Sequence, residues 1–314
     1  MTSAVVFAYH NVGVRCLKAL LAQGIEVPLV VTHHDDPREE IWFASVERTA
    51  SEYGIPTLAP EDPNRPEVAA RVAASSPDFL FSFYYRRMLA PPLLALAPRG
   101  ALNMHGSLLP KYRGRAPVNW AIIHGETESG ATLHYMTEKP DNGDIVGQTA
   151  VPILPDDTAR EVFDKVVVAA EITLVAALPA LVRGDAPRRP QDPRLAAYFG
   201  GRKPQDGLID WSRSATEIHN LVRAVAPPFP GARTTVAGSP ARILRTRVVN
   251  AAAKTPAAPS LGVEGQCIVA HCGGGGLLAV LELEIDGAPI APDAFAARAG
   301  SSTVTPGPTD AGSS

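Results

Sequence analysis

Asn103, His105 and Asp141 are the residues of this chain whose types and spacing could move a carbonyl group. Asn103 and His105 stand two apart at the end of a short β-type run, so their side chains share one face of the strand. Gly106-Ser107 turns the chain away, Leu108-Leu109-Pro110 anchors the loop, and Lys111, Arg113 and Arg115 follow. Asp141 lies in Lys139-Pro140-Asp141-Asn142-Gly143-Asp144, ahead of another apolar run. An amide NH2 can donate to an oxyanion as it forms, an imidazole can donate or carry a proton, and a carboxylate can accept one or orient the ring. The same residue types also serve as satisfied polar groups at strand ends, and Asp-Asn-Gly is ordinary turn chemistry. The order of the string has to decide.

Such a set works only if its surroundings fix it. Residues 5–9 form a short apolar run, followed by a helical pattern over 14–22 with Gly24 as its stop. Residues 27–32 read as a second buried strand, whose lack of alternation fits a parallel sheet covered on both faces. Helical patterns at 39–53 and 66–74 and a strand at 79–83 continue a βαβ order. After the Asn103–His105 strand come a helix at 118–124, strands at 131–136 and 145–153, and a long helix from an Asp157-Thr158 cap to Arg183. This order predicts an α/β domain over 1–184, with a doubly wound, mostly parallel, Rossmann-like sheet. No Gly-x-Gly-x-x-Gly follows the first strand, which argues against a dinucleotide site.

Residues 185–206, dense in proline and charge, read as a linker. Beyond them lie a capped helix at 215–225 and short β-type runs at 232–236, 241–249, 266–271 and 276–284. Strands of this kind with glycine turns predict a small OB-like β-barrel over 207–298. The tail, 299–314, is built of Ser, Thr, Pro and Gly and reads as disordered.

A chain of 314 residues is long enough for two cores. Its net charge of −3 argues against a protein that grips polyanions, so no nucleic-acid partner is expected. Cys16, Cys267 and Cys272 are too few and too scattered for a disulfide framework or a four-ligand zinc site, which suits a reducing, cytoplasmic setting without a metal. The N-terminus lacks a basic region and a long apolar core, so no signal peptide is expected. The most apolar stretch, 166–182, contains Glu171 and Pro179 and reads as too short for a good membrane span, better as a helix packed on a sheet.

The string Asn103-x-His105-Gly106-Ser107-Leu108-Leu109-Pro110, then Arg113-Gly114-Arg115-Ala116-Pro117, then Asp141-x-Gly143-Asp144, resembles the folate-dependent formyltransferases. The resemblance implies that Asn103, His105 and Asp141 are the catalytic residues, and that 10-formyltetrahydrofolate donates the formyl group without a metal. The aromatic, basic loop at residues 81–89 could wall a flat ring. In the family a loop at this place helps hold the pterin, which marks Tyr85, Arg86, Arg87 and Met88, with Asp144, as donor-binding residues. Arg113 and Arg202, read as exposed loop arginines, are candidates for the phosphates of a nucleotide substrate.

Within the family, Phe81–Arg86, Leu108–Pro117 with Asn119-Trp120, Phe199–Arg202 and His219–Ala226 are similar to the formyltransferase half of the bifunctional UDP-4-amino-4-deoxy-L-arabinose enzymes of lipid A modification. That similarity implies a UDP-linked 4-amino sugar as acceptor, with the decarboxylase of those enzymes expected on a separate polypeptide. A dTDP-linked amino sugar and methionyl-tRNA are the alternatives. The tRNA enzymes carry a basic insertion after the second strand. Here residues 33–40, His-His-Asp-Asp-Pro-Arg-Glu-Glu, are short and acidic.

Overall fold

Five short apolar runs form the parallel part of a seven-stranded sheet in the computed structural model, which describes residues 1–254 and 258–299. In chain order these are β1 (Ser3–Ala8), β2 (Glu26–Val31), β3 (Thr57–Leu58), β4 (Phe79–Phe83) and β5 (Ala101–His105). Helices α1 (His10–Ala22), α2 (Val46–Glu52), α3 (Pro66–Ala74) and α4 (Pro91–Leu94) lie between them. The strand order is β3-β2-β1-β4-β5, so the chain builds outward from β1 on one side and returns to build on the other. Two antiparallel strands, β7 (Glu128–Tyr135) and β8 (Ile145–Pro152), complete the sheet beside β5.

The absence of alternation has the expected cause. Ala4, Val6 and Ala8 face one core, shared with α1 and with α6 (Ala159–Arg183), while Val5 and Phe7 face a second core under α3 and α4. Helix α6, at 25 residues, is long and apolar enough to cross a bilayer by length and composition alone, which differs from the sequence expectation. One face of it, through Phe163, Val167, Ala170, Leu174 and Leu178, is buried in the first core.

The chain divides into two compact units. The first holds the seven-stranded sheet and extends to Gly200. The second takes residues 118–127 and 153–162 together with residues from Gly201 onward. It includes most of α5 (Pro117–Ile123), and α7 (Ala215–Val225), which opens with a reciprocal capping box between Ser214 and Glu217. Its sheet comprises β10 (Ala232–Val236), β11 (Ser239–Asn250), β12 (Ser260–Glu264), β13 (Cys267–His271), β14 (Leu277–Ile285) and β15 (Ala288–Pro289), followed by α8 (Pro292–Ala299).

Three expectations are corrected here. The second sheet follows an open path, β10-β11-β14-β13-β12; among the described residues its end strands do not pair, so no closed barrel is formed. The helix expected from residue 39 starts only at Val46, because Ser45 caps it by accepting the Arg48 N–H, and residues 33–44 are irregular. Residues 185–200, expected as linker, belong to the first unit and include β9 (Tyr198–Phe199), which pairs in parallel with β6 (Arg113–Gly114). The expected tail beyond Ala299 lies outside the described residues.

Candidate active site

Asn103 and His105 project from one face of β5, and the antiparallel register of β7 sets His134 opposite Asn103 and Thr132 opposite His105. Asn103 Nδ2 lies 3.1 Å from His134 Nε2. His134 Nδ1 lies 2.8 Å from the Tyr135 carbonyl, which can only accept, so Nδ1 carries the proton and Nε2 accepts from the Asn103 amide. This fixes the amide's direction: one N–H is held by His134 and the second is left for a ligand. His134 escaped the sequence reading as a site residue. Its only local signal was its place at the centre of an alternating strand.

The same reasoning sets His105. Its Nε2 donates to the Tyr112 carbonyl at 2.8 Å, leaving Nδ1 to face Asp141 Oδ1 at 3.5 Å. His134 Nε2 is 3.6 Å from that same oxygen. Asp141 adopts a left-handed backbone (φ 51), tolerable for Asp, and its Oδ2 accepts the Gly114 N–H at 2.8 Å. Burial would raise this carboxyl's pKa. The charge of His105 and the Gly114 N–H outweigh burial and hold it well below the usual carboxylate range. Asp141 is therefore a carboxylate at neutral pH, suited to hold and charge-balance His105.

The loop after β5 is fastened from below. Thr132 Oγ1 donates to the Ser107 carbonyl at 2.6 Å and accepts the Leu109 N–H at 3.1 Å, while Gln148 Nε2 reaches the Leu109 carbonyl at 2.8 Å. Gly106 is required by close approach: a Cβ there would lie 1.8 Å from the Tyr84 hydroxyl. Gly143 is required likewise, since a Cβ would lie 1.9 Å from the Tyr135 carbonyl that orients His134.

Residues 189–199 fasten the site from the other side. Gln191 Nε2 donates to the carbonyls of Asp141 and Gly143 at 2.9 and 2.8 Å, and the Tyr198 hydroxyl donates to the Pro140 carbonyl at 3.0 Å. Arg113, expected to be exposed, is buried. Its guanidinium is spent on Gln191 Oε1 (2.6 and 3.1 Å) and the Tyr198 hydroxyl (3.2 Å), so it braces this segment. Arg115 is the exposed arginine of the loop, with Nη2 3.4 Å from the Arg86 carbonyl.

Of the expected donor-binding residues, Tyr85 is buried, with its ring stacked on His33 (4.1 Å) and edge-on to Phe7 (5.3 Å), so it offers no free face to a pterin. Arg86, Arg87 and Met88 are exposed at the end of β4, the strand beside β5. Asp144 is half-buried, and its carbonyl accepts the Tyr135 N–H at 2.9 Å. Arg202 belongs to the second unit; burial lowers its pKa, and its Nε is buried without a hydrogen-bond partner. Within that unit, Asn119 Nδ2 donates to the Ala224 carbonyl, and Arg223 to the carbonyls of Leu154 and Asp157. Those two strings therefore perform structural work. Among the described residues no group of three His, Cys, Asp or Glu side chains is placed to hold a metal ion.

Residues 4–178 match the family model described as formyl transferase, and residues 202–300 match its C-terminal domain. The chain belongs to the formyl transferase family. It is a folate-dependent formyltransferase, as its central string implied. Among solved structures, it is similar to an N-formyltransferase from Helicobacter canadensis in complex with folinic acid and dTDP-3-aminofucose. That match has 20% identity and a TM-score of 0.69, over 89% of this chain and 99% of the other. It is also similar to WlaRD, a sugar 3N-formyl transferase solved with dTDP and 5-N-formyl-THF, at 20% identity and TM-score 0.65, over 89% and 97% of the two chains. HypX from Aquifex aeolicus, solved with tetrahydrofolic acid, matches at 17% identity and TM-score 0.61, over 90% of this chain and 44% of its own. At these identities the likeness speaks to the fold.

Proposed function

We propose that this formyltransferase moves the formyl group of 10-formyltetrahydrofolate to the amine of a nucleotide-linked amino sugar, and that a dTDP-linked sugar is preferred. The observation that carries the reaction is the cluster of buried His105 and His134 with half-buried Asn103 and Asp141, in which one amide N–H of Asn103 and Nδ1 of His105 are left for chemistry. One bond forms between the amine nitrogen and the formyl carbon, one breaks between that carbon and the donor nitrogen, and one proton passes from the first nitrogen to the second. The N–H of Asn103 that His134 does not hold donates to the oxyanion that develops on the formyl oxygen. His105 carries the proton through Nδ1, and the ionised Asp141 stabilises the ring while it is charged. The exposed residues Arg87 and Met88 beside β5 suit the edge of a pterin through their main-chain N–H groups; buried Tyr85 takes no part.

The acceptor is inferred by analogy. The Helicobacter canadensis enzyme and WlaRD each match 89% of this chain and carry dTDP-3-aminofucose and dTDP respectively, which favours dTDP over the UDP-4-amino-4-deoxy-L-arabinose expected from sequence. The acidic residues Asp35, Asp36, Glu39 and Glu40 weigh against a tRNA acceptor. The test is formyl transfer from 10-formyltetrahydrofolate to dTDP- and UDP-linked amino sugars and to charged initiator tRNA. Formylation of a dTDP-amino sugar is expected. Preference for a UDP-amino sugar would correct the nucleotide alone, and efficient formylation of tRNA with no sugar product would overturn the assignment.

A further inference from the structure

Outside the catalytic cluster, a second arrangement sits where the strand order reverses, at the carboxyl ends of β1 and β4. Open α/β sheets take ligands in this crevice. Here Arg86 lays its guanidinium over the Tyr9 ring, 4.7 Å from the centroid, and forks onto Glu39 through bonds of 2.7 and 2.8 Å. The Arg86 main-chain N–H donates to His33 Nε2 at 3.0 Å, and the Tyr9 hydroxyl donates to Asp35 Oδ1 at 2.7 Å. The guanidinium is thus aimed by groups at the ends of β1 and β2, while its charge is met by a residue of the irregular 33–44 segment.

That last contact is the weak one. The side chains of Arg86 and Glu39 are 43% and 41% exposed, and pairs of this exposure are weak, worth no more than a few-fold in an equilibrium. A two-pronged carboxylate on an arginine fork is also the geometry in which arginine recognises phosphates and ligand carboxylates. Both substrates of the proposed reaction are anionic, so an exchange of Glu39 for a substrate group would leave the local charge balanced.

We propose that Arg86 is an anion-recognition group of this crevice, and that Glu39 fills its fork until a substrate phosphate or carboxylate displaces it. The inference rests on the proposed function, because it takes the anion from one of that reaction's two substrates. Arg86 was expected to border the donor's pterin ring; this assigns it an anion instead and makes Glu39 its built-in competitor.

The experiment is calorimetric binding of dTDP and of folinic acid to the full chain and three variants. Glu39→Gln should tighten one ligand about two- to fivefold, the strength of the exposed pair it removes. Arg86→Gln should weaken that same ligand about tenfold or more, and the double variant should match Arg86→Gln, since Glu39 acts only through Arg86. A response of dTDP identifies a phosphate, and a response of folinic acid a carboxylate. Unchanged or weaker binding of both ligands by Glu39→Gln would overturn the inference while leaving the proposed function standing. Failure of the unaltered chain to bind either ligand would remove both.

Discussion

The loop that follows β5 and the segment at residues 33–44 both adjoin the carboxyl ends of the parallel strands, yet they are held by opposite means. The β5 loop rests on buried bonds: Thr132 and Gln148 from β7 and β8 hold Ser107 and Leu109, while Asp141 holds Gly114 and Gln191 holds the Asp141 loop. The other segment is anchored at its ends, by Asp35 on Tyr9 and Ala44 on Asn11, and its middle is tied by an exposed ion pair between Glu39 and Arg86. Buried, over-determined bonds keep donors where charge will develop, at no reorganisation cost during reaction. Exposed ion pairs contribute little stability and exchange readily. The first region is built to stay, and in the second the Glu39–Arg86 contact is the one weak enough to be traded for ligand.

Asn103→Ala should strain that contrast most. It removes a donor from the buried side and should lower turnover by about 10²–10³ with the melting temperature nearly unchanged. Full turnover in the folded variant would take Asn103 out of the chemistry. A smaller effect sets the two regions directly against each other. Thr132→Val deletes a hydroxyl that satisfies two main-chain groups of the β5 loop and should cost about 1–3 kcal/mol in denaturant unfolding. Glu39→Gln should cost less than about 1 kcal/mol. Equal losses would erase the distinction.

The smallest effect is one of pH. Burial, with the charges of Arg86 and Arg87, pushes His33 down to about 4. A histidine lowered on folding contributes stability above its unfolded value of about 6.5, and that contribution fades as pH falls from there toward about 4. The melting temperature should decline over this window, and His33→Gln should flatten the decline. An unchanged slope in the variant would assign the decline to other groups.

What was legible in the sequence were the features that local period and order can carry. The two-residue period placed Asn103 and His105 on one face, and the alternation of strands and helices gave the doubly wound sheet. His134 was missed because its role depends on how β7 registers against β5, a pairing no local pattern contains. The segment at 189–199 looked like a spacer because its prolines and charges match linker composition. Its bonds from Gln191 and Tyr198 go to loops far away in sequence. Arg113 illustrates the same limit: a loop arginine reads as exposed until its partners are known. The start of α2 was misplaced because the helical pattern was carried back to residue 39, whereas the cap is Ser45, whose hydroxyl accepts the Arg48 N–H.

The measurement that bears most directly on the catalytic cluster is turnover of Asp141→Asn with 10-formyltetrahydrofolate and a dTDP-linked amino sugar, read as formylated product by mass spectrometry. The asparagine keeps the Gly114 contact but removes the charge that faces His105. Product formation should fall by about 10³ or more, in a protein whose circular dichroism and melting match the parent; this is an order-of-magnitude expectation for losing the carboxylate that supports a catalytic histidine. Turnover within a few-fold of the parent would contradict the assignment of Asp141 and His105 as the working pair.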